Sequence, residues 1–468
     1  MSYLKSIDVV AKIYDMPNVP KVKAVIPITL NQDEIINFLR FSHKMEIPDD
    51  YIIAIVRNDN TNSYVLGGNE RPLLNYSHQK NLEIVFFPGV MTFEIVSPDK
   101  TVTPIIIKTQ YTVDKIIELY CMKMFNISET ISYALYDTEA NFLEPLPNNK
   151  AIIEINPNLK SLYFGRRIWT KSLLNIKNDV ELYQIFFQAI NIIFSSDFFH
   201  SYYNIPELLS IYMVYKLDTS ARALIFLKKS SKKQISTFIP KYCDYFKTKK
   251  KIISQIQEIG QKDHKELIMM LLSKCMENEY FGSPLYPSGF KLTNQQKLIK
   301  CNVAITENTL SFLLPKSYKS KLSIPVKNIQ KWKLITNVLL RIFCLNQDKH
   351  SVEYDIMSEY AFYILYQLTS LMNYIKKQKL KTKNNDDDNN DNNNKRKLSL
   401  ANDKENILLS KNSLSSIQFY KFQDDNENPQ ECMNNSGLFK PPNPQPIYET
   451  NIEEVQDSFL SFSNDYQF

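Results

Sequence analysis

Glycine is scarce in this chain. Eight occur in 468 residues, against roughly 7% in an average protein. They stand apart, at Gly67, Gly68, Gly89, Gly165, Gly260, Gly282, Gly289 and Gly437. Neither GxGxxG nor GxxxxGK followed by Ser or Thr can be assembled from them, which excludes a glycine-rich backbone loop that cradles phosphate. Histidine is rarer still: His43, His78, His200, His264 and His350 are far apart, none in HExxH spacing. The cysteines (Cys121, Cys243, Cys275, Cys301, Cys344 and Cys432) form no CxxC and lie mostly in apolar runs, where a thiol behaves as a small hydrophobe. No metal site and no disulfide framework is expected, and a reducing compartment fits. No nucleophile–base pair emerges, so no catalytic residue or cofactor is expected and the chain reads as a non-enzyme. No apolar run approaches the ~20 residues that span a bilayer; Ile185–Phe194 is broken by Gln188 and Asn191. With no leader peptide apparent, a soluble intracellular protein is expected.

What the chain has is charge, unevenly placed. Residues 381–468 carry nine Lys and Arg against fifteen Asp and Glu, a net of −6; the whole chain is +6, so residues 1–380 carry +12. A basic body points to an anionic partner, membrane or nucleic acid. Nucleic acid is the weaker reading, because no recognition helix, zinc or RNP motif appears.

The pattern along the chain predicts a multidomain α+β protein. Residues 1–88 read as strands Ile7–Tyr14 and Val22–Thr29, a helix over Gln32–His43, and strands Tyr51–Val56 and Leu82–Phe87. Asn31 and Glu34 stand in capping-box spacing before that helix. Residues 89–168 repeat the order at an offset of about eighty residues: strands Thr92–Val96 and Thr103–Ile107, helix Thr112–Phe125, strands Ile131–Tyr136 and Ser161–Gly165. Two tandem ubiquitin-like lobes fit. Over 169–280 the apolar spacing turns helical, with predicted core faces at Val180, Tyr183, Phe187, Ile190 and Phe194, then at Leu208, Ile211, Tyr212 and Tyr215, Ile252, Ile256 and Ile259, and Leu267, Leu271 and Cys275. This is a helical-bundle lobe. Residues 281–380 return to strands: Ile299–Ile305, Thr309–Leu314, Leu322–Val326, Ile329–Ile335 and Val338–Cys344. An amphipathic helix from about Met357 to Gln378 closes them, giving a PH/PTB-like lobe whose helix leaves a groove beside the neighbouring strand. Residues 381–468, rich in Asn, Asp and Ser, are expected to be a disordered acidic tail.

Local segments accompany this order. Asp49-Asp50-Tyr51 and Pro72-Leu73-Leu74-Asn75-Tyr76 precede strands of the first lobe. Phe164-Gly165-Arg166-Arg167 closes the second, Asp244-Tyr245-Phe246-Lys247 opens a basic helix, and Lys331-Trp332 precedes a turn and an apolar strand. In this arrangement residues 1–380 resemble FERM domains, and among them the four-lobed heads of talins. No helical rod follows residue 380, so the rod's actin- and vinculin-linking functions do not carry over. The resemblance implies an adaptor in the cytoplasm, peripheral at the inner face of the plasma membrane, that links adhesion or other membrane receptors to the cytoskeleton or to signalling.

It also implies sites. The strand of Ile329, Gln330, Lys331, Trp332, Lys333, Leu334 and Ile335 would take an NPxY-type receptor tail as an added strand, with Trp332 covering a peptide side chain. Lys247, Lys249, Lys250 and Lys251 at a helix start, with Lys291, Lys297 and Lys300 in a turn between strands of the last lobe, would face anionic lipids such as phosphoinositides. Lys21, Lys23, Arg40 and Lys44 in the first lobe would meet a Ras-family small GTPase; a GTPase effector or regulatory scaffold is the rival reading. In the tail, Arg396-Lys397-Leu398-Ser399 makes Ser399 a candidate for a basic-directed kinase.

Overall fold

The computed structural model describes residues 5–388 apart from 57–63, 67–70, 80, 128–129, 139–142, 196–203, 294–295 and 347, with side chains described up to residue 380. The expected tail from residue 389 onward, with Ser399, lies outside the described residues. The chain divides into two compact units, Met1–Leu371 and Met372–Phe468. The second begins within the last helix, and the first holds all the described strands and the helical bundle.

Alternating apolar residues make β1 (Ser6–Ile13) and β2 (Val22–Pro27). Then come α1 (Gln32–His43), β3 (Tyr51–Val56), β4 (Tyr64–Leu66) and β5 (Leu82–Pro88). The strand order is β2-β1-β5-β3-β4, with β1 parallel to β5 at the centre and the other pairs antiparallel. That is a ubiquitin-like lobe. Ile7, Val9, Ala11 and Ile13 share one core with Ile35, Ile36 and Leu39 of α1. The capping box forms as predicted: Glu34 N donates to Asn31 Oδ1 at 2.9 Å and Asn31 N to Glu34 Oε2 at 2.8 Å.

The second lobe repeats the plan with β6 (Val90–Val96), β7 (Val102–Lys108), α2 (Val113–Phe125), β8 (Tyr133–Asp137), α3 (Ile152–Ile155) and β9 (Ser161–Arg166). Its order is β7-β6-β9-β8, again around a parallel central pair. The two lobes share a buried seam. Ala54, Val85 and Phe87 of the first pack with Ala151 and Ile153 of the second. The Tyr14 ring stacks on Phe87 at 4.3 Å, and its hydroxyl lies 2.6 Å from Asn158 Oδ1. Leu66 N donates to Glu154 Oε1 at 3.2 Å. Gly89, between β5 and β6, admits no side chain, since a Cβ there would stand 2.2 Å from the Asp50 carbonyl oxygen.

Among the described residues six α-helices come next: α4 (Asp179–Ser195), α5 (Ile205–Lys216), α6 (Ser220–Lys229), α7 (Lys232–Ser236), α8 (Tyr245–Ile259) and α9 (His264–Met276). One predicted core face is displaced. In α4 the buried apolar residues are Leu182, Ile185, Phe186, Ala189, Ile190 and Ile193, while Val180 and Tyr183 are exposed. That helix is apolar on most sides, so spacing alone does not fix its phase.

The last lobe has β10 (Tyr286–Leu292), β11 (Ile299–Ile305), β12 (Thr309–Leu313), β13 (Ser320–Pro325), β14 (Ile329–Thr336), β15 (Leu339–Leu345), β16 (Ser351–Met357) and α10 (Ala361–Asp388). The sheet order is β13-β12-β11-β10-β16-β15-β14, all antiparallel. Two of these strands, β10 and β16, are absent from the sequence reading. β10 carries Pro287 and Gly289, both disfavoured in strands, and β16 carries Glu353 and Asp355. The closing helix starts at Ala361 rather than Met357, which ends β16. Ser358 terminates that strand: its hydroxyl donates to Pro287 O at 2.7 Å and accepts from Tyr360 N at 3.1 Å.

The chain from the end of β9, residues 166–169, ties three lobes together. Arg166 is buried against Glu181 of α4 at 3.5 Å, and Tyr133 donates its hydroxyl proton to the same carboxylate. Gln188 of α4 brackets the Arg166 backbone, accepting from its N–H and donating to its carbonyl, both at 2.7 Å. The Arg167 guanidinium lies 4.7 Å above the Tyr366 ring of α10, and Gln367 donates to the Arg167 carbonyl at 3.0 Å. Trp169 meets Phe281 edge-on at 5.2 Å. The Arg166-Arg167 pair is therefore an internal joint.

Candidate binding surfaces

Strand β14 is the last in its sheet, and among the described residues it pairs only with β15. Its outer edge is open to an added strand. Alternation divides its side chains: Lys331, Lys333 and Ile335 are exposed, while Trp332 and Leu334 are half-buried. Trp332 is half-buried because its ring turns toward α10, where Nε1 donates to Thr369 Oγ1 at 3.1 Å. It thus bridges strand and helix and leaves one side of the space between them lined by indole. Lys331 lies over the Phe343 ring at 5.2 Å. Ile329 is buried, and Gln330 sits at an irregularity in the pairing with β15.

On the outward face Lys333, Arg341, Asp355 and Lys291 are successive cross-strand partners on β14, β15, β16 and β10. Arg341 Nε donates to Asp355 Oδ1 at 2.7 Å, and this bond raises the pKa of the guanidinium. Lys291 is therefore half-buried in a charged row, not in a turn as the sequence suggested. Lys300 stands on β11 opposite Gly289, and only Lys297 belongs to the segment between the strands.

The lysines at 247–251 occupy the first turns of α8 as expected; Lys247, Lys250 and Lys251 are exposed and Lys249 half-buried. Cations at a helix N-terminus oppose the macrodipole, and Asp244, whose Oδ1 accepts from Lys247 N at 2.8 Å, caps the end. Beside them Phe246 is 72% exposed, a large apolar side chain with no core to fill. Lys232 of α7 reaches its ring at 5.4 Å and that of Tyr245 at 5.3 Å. The sequence reading missed Phe246 and Lys232 as parts of this face. An aromatic directly ahead of a lysine run was the available signal.

In the first lobe β2 is also an edge strand. Lys23 on it and Lys21 just before it are exposed; Lys21 lies 3.7 Å from Glu83, which Lys12 also reaches at 2.6 Å. Burial pushes the Glu83 carboxyl up, but the two lysines outweigh it and hold its pKa below the ordinary value. Lys44 is the left-handed C-cap of α1. Arg40 is engaged internally: Nε donates to the Ile47 carbonyl at 2.7 Å and Nη1 pairs with Asp49 at 2.8 Å, bracing the chain after α1.

Other chemistry-bearing side chains are in the core. Cys121, Cys275, Cys301 and Cys344 are buried, and burial pushes the Cys301 thiol up to about 12. Among the described residues no group of His, Cys, Asp or Glu is arranged to hold a metal ion, and no helix is long and apolar enough to cross a membrane.

The order of lobes is two ubiquitin-like sheets, a helical bundle, and a sheet closed by a helix. The fold is of the FERM type. Neither a protein-family model nor a curated protein matches the sequence. Among solved structures, the chain is similar to the FERM and C-terminal domain complex of Drosophila Merlin, at 12% identity and TM-score 0.48, covering 62% of this chain and 99% of that one. It is also similar to the human Myosin 7b C-terminal MyTH4-FERM domain, solved in complex with the harmonin-a PDZ3 domain (13%, TM-score 0.46, 62% of this chain and 61% of that one). The Dictyostelium discoideum Myosin VII MyTH4-FERM MF2 domain is a third, at 16% identity and TM-score 0.45, covering 60% of this chain and 58% of that one. The chain spans about three fifths of each of these two myosin structures.

Proposed function

We propose that this chain is a non-enzymatic adaptor that docks on an anionic membrane surface in the cytoplasm and binds the cytoplasmic tail of a receptor. Its lobes divide at 1–88, 89–168, 169–280 and 281–380, in the manner of a talin-type head. The observation that carries the reading is the open edge of β14 beside α10. An extended NPxY-type peptide adds to that edge through backbone hydrogen bonds. The indole of Trp332, held toward the helix by Thr369, forms one wall of the groove that receives its side chain.

Trp332→Ala in the full chain is expected to weaken such a peptide by about 1–3 kcal/mol, a hot-spot-sized loss. Titration by NMR or fluorescence polarisation checks it. Unchanged affinity, with peptide-induced shifts away from residues 329–336, rules the groove out.

The bilayer contact is the lysine face of α8. A lysine near an anionic leaflet contributes ~1 kcal/mol, and salt screens the attraction. Reversing Lys249, Lys250 and Lys251 to Glu should remove most co-sedimentation with phosphatidylserine vesicles. Wild-type binding should fall as ionic strength rises; equal binding to neutral and anionic vesicles would dismiss the contact.

A second reading, a small-GTPase effector or regulatory scaffold, rests on the other open edge. There β2 presents Lys23 and Val25, with Lys21 before it. Arg40 has no part in it, being committed to Ile47 and Asp49.

A further inference from the structure

We propose that Ser231 is a phosphorylation site, and that a phosphoryl group there releases the lysine face of the bundle from an anionic bilayer. The second half rests on the membrane reading of that face. Ser230 and Ser231 are the two-residue link between α6 and α7, and both are extended, at φ −79°, ψ 152° and φ −65°, ψ 160°. Ser231 is exposed. Lys228 and Lys229 precede it by three and two positions, and Lys232 and Lys233 come directly after it. An extended, exposed serine with upstream cations suits a kinase whose acidic cleft selects basic flanks. In the transfer Ser231 Oγ bonds to the γ-phosphorus of ATP as the bond to the bridging oxygen breaks. ADP leaves, and the hydroxyl proton passes to the kinase's catalytic carboxylate.

The packing places that phosphate beside the lysines of α8. At one end of the α6–α8 pair Ser220 Oγ, at the start of α6, donates to the carbonyl of Gly260 just past α8 at 2.8 Å. At the other end Lys232, just past α6, covers the rings of Tyr245 and Phe246 at the start of α8. The two helices are therefore antiparallel, and their lysine-bearing ends coincide. Lys228 and Lys229 at the end of α6, and Lys232 and Lys233 just after it, therefore lie at the same end of the pair as exposed Phe246 and Lys247, Lys249, Lys250 and Lys251, where Asp244 caps α8. A phosphoserine at 231 adds about −1.5 to −2 charges directly before Lys232. It draws Lys232 inward and repels lipid phosphates.

The test uses the full chain carrying Ser399→Ala, which removes the other candidate serine behind Arg and Lys. The protein is treated with ATP and the catalytic subunit of a cyclic-AMP-dependent kinase, then mapped by fragment-ion mass spectrometry. It is then titrated onto phosphatidylcholine vesicles with and without phosphatidylserine. The expected result is a phosphate on Ser231 and about 10- to 30-fold weaker affinity for the anionic vesicles at low salt. The difference should shrink as salt rises, and Ser231→Ala should bind vesicles like the untreated protein and resist the kinase's effect. No phosphate at Ser231 overturns the site. A phosphate there with unchanged vesicle affinity overturns the switch alone. Untreated protein indifferent to phosphatidylserine overturns the membrane reading and the switch with it, while the phosphate map still decides the site.

Discussion

Replacing Glu181 by alanine should destabilise the protein by about 3–5 kcal/mol, the cost of stranding a buried charge. The Arg166 side chain is 5% exposed and the Glu181 side chain 10%. Removal of the carboxylate also leaves the Tyr133 hydroxyl without this acceptor and Arg166 with no counter-charge, its side chain donating to the Ile168 carbonyl at 2.9 Å and the Tyr133 hydroxyl at 3.4 Å. Because the pair joins β9 to α4, the loss falls on the junction between the second lobe and the bundle. Replacing both charges, Arg166→Met with Glu181→Leu, should recover most of the loss, since a buried ion pair contributes little beyond an apolar pair of similar volume. Urea unfolding of the three proteins checks this, provided the slopes agree. A loss below about 1 kcal/mol in Glu181→Ala would mean that water reaches Arg166.

Gly282→Ala should destabilise by about 2–4 kcal/mol for two separable reasons. Gly282 has φ +72°, and a Cβ built on it stands 2.2 Å from the Trp169 indole. Gly260 provides the control. Its φ is +70°, yet nothing lies within 4 Å of its Cβ position. With ψ −157° Gly260 lies in a region taken essentially by glycine alone, so Gly260→Ala carries a backbone cost of about 1–3 kcal/mol and no clash, and a larger loss in Gly282→Ala reports the contact with Trp169. The surroundings restrict relief: the Trp169 ring is packed on Phe281 and anchored by Nε1 to the Arg166 carbonyl at 3.1 Å. Equal shifts in Tm for the two alanine variants would show that the ring moves aside.

The sequence was most legible where local signals and burial coincide. Helix α1 has the predicted bounds because Asn31 and Glu34 start it and the left-handed Lys44 stops it. The two ubiquitin-like lobes were visible because the opening hairpin of each, β1–β2 and β6–β7, has one wet face and hence clean alternation. Strands β10 and β16 were hidden because tertiary pairing overrides poor strand residues: Asp355 is tolerated in β16 only because Arg341 stands opposite it. The face of α4 was misjudged because most of its sides are apolar. Of the candidate sites, the edge position of β14 was legible as a strand before a turn. The direction of the Trp332 ring depends on Thr369, thirty-seven residues away, and no local pattern encodes that. Lys232 reaches Phe246 only because α6 and α8 run antiparallel, a relation set by packing.

The seam between the two ubiquitin-like lobes has a consequence for how a partner is read. A lobe on a flexible tether samples many orientations, and a second contact made through it depends on linker length. Here Phe87, Ala151 and Ile153 are buried together and Tyr14 and Glu154 are bonded across the joint, so the first lobe extends the second like a fixed arm. Whatever β2 holds is presented at a set distance and angle from the rest of the body. Such an arm acts as a gauge, admitting a pair of partners only when their own spacing matches it.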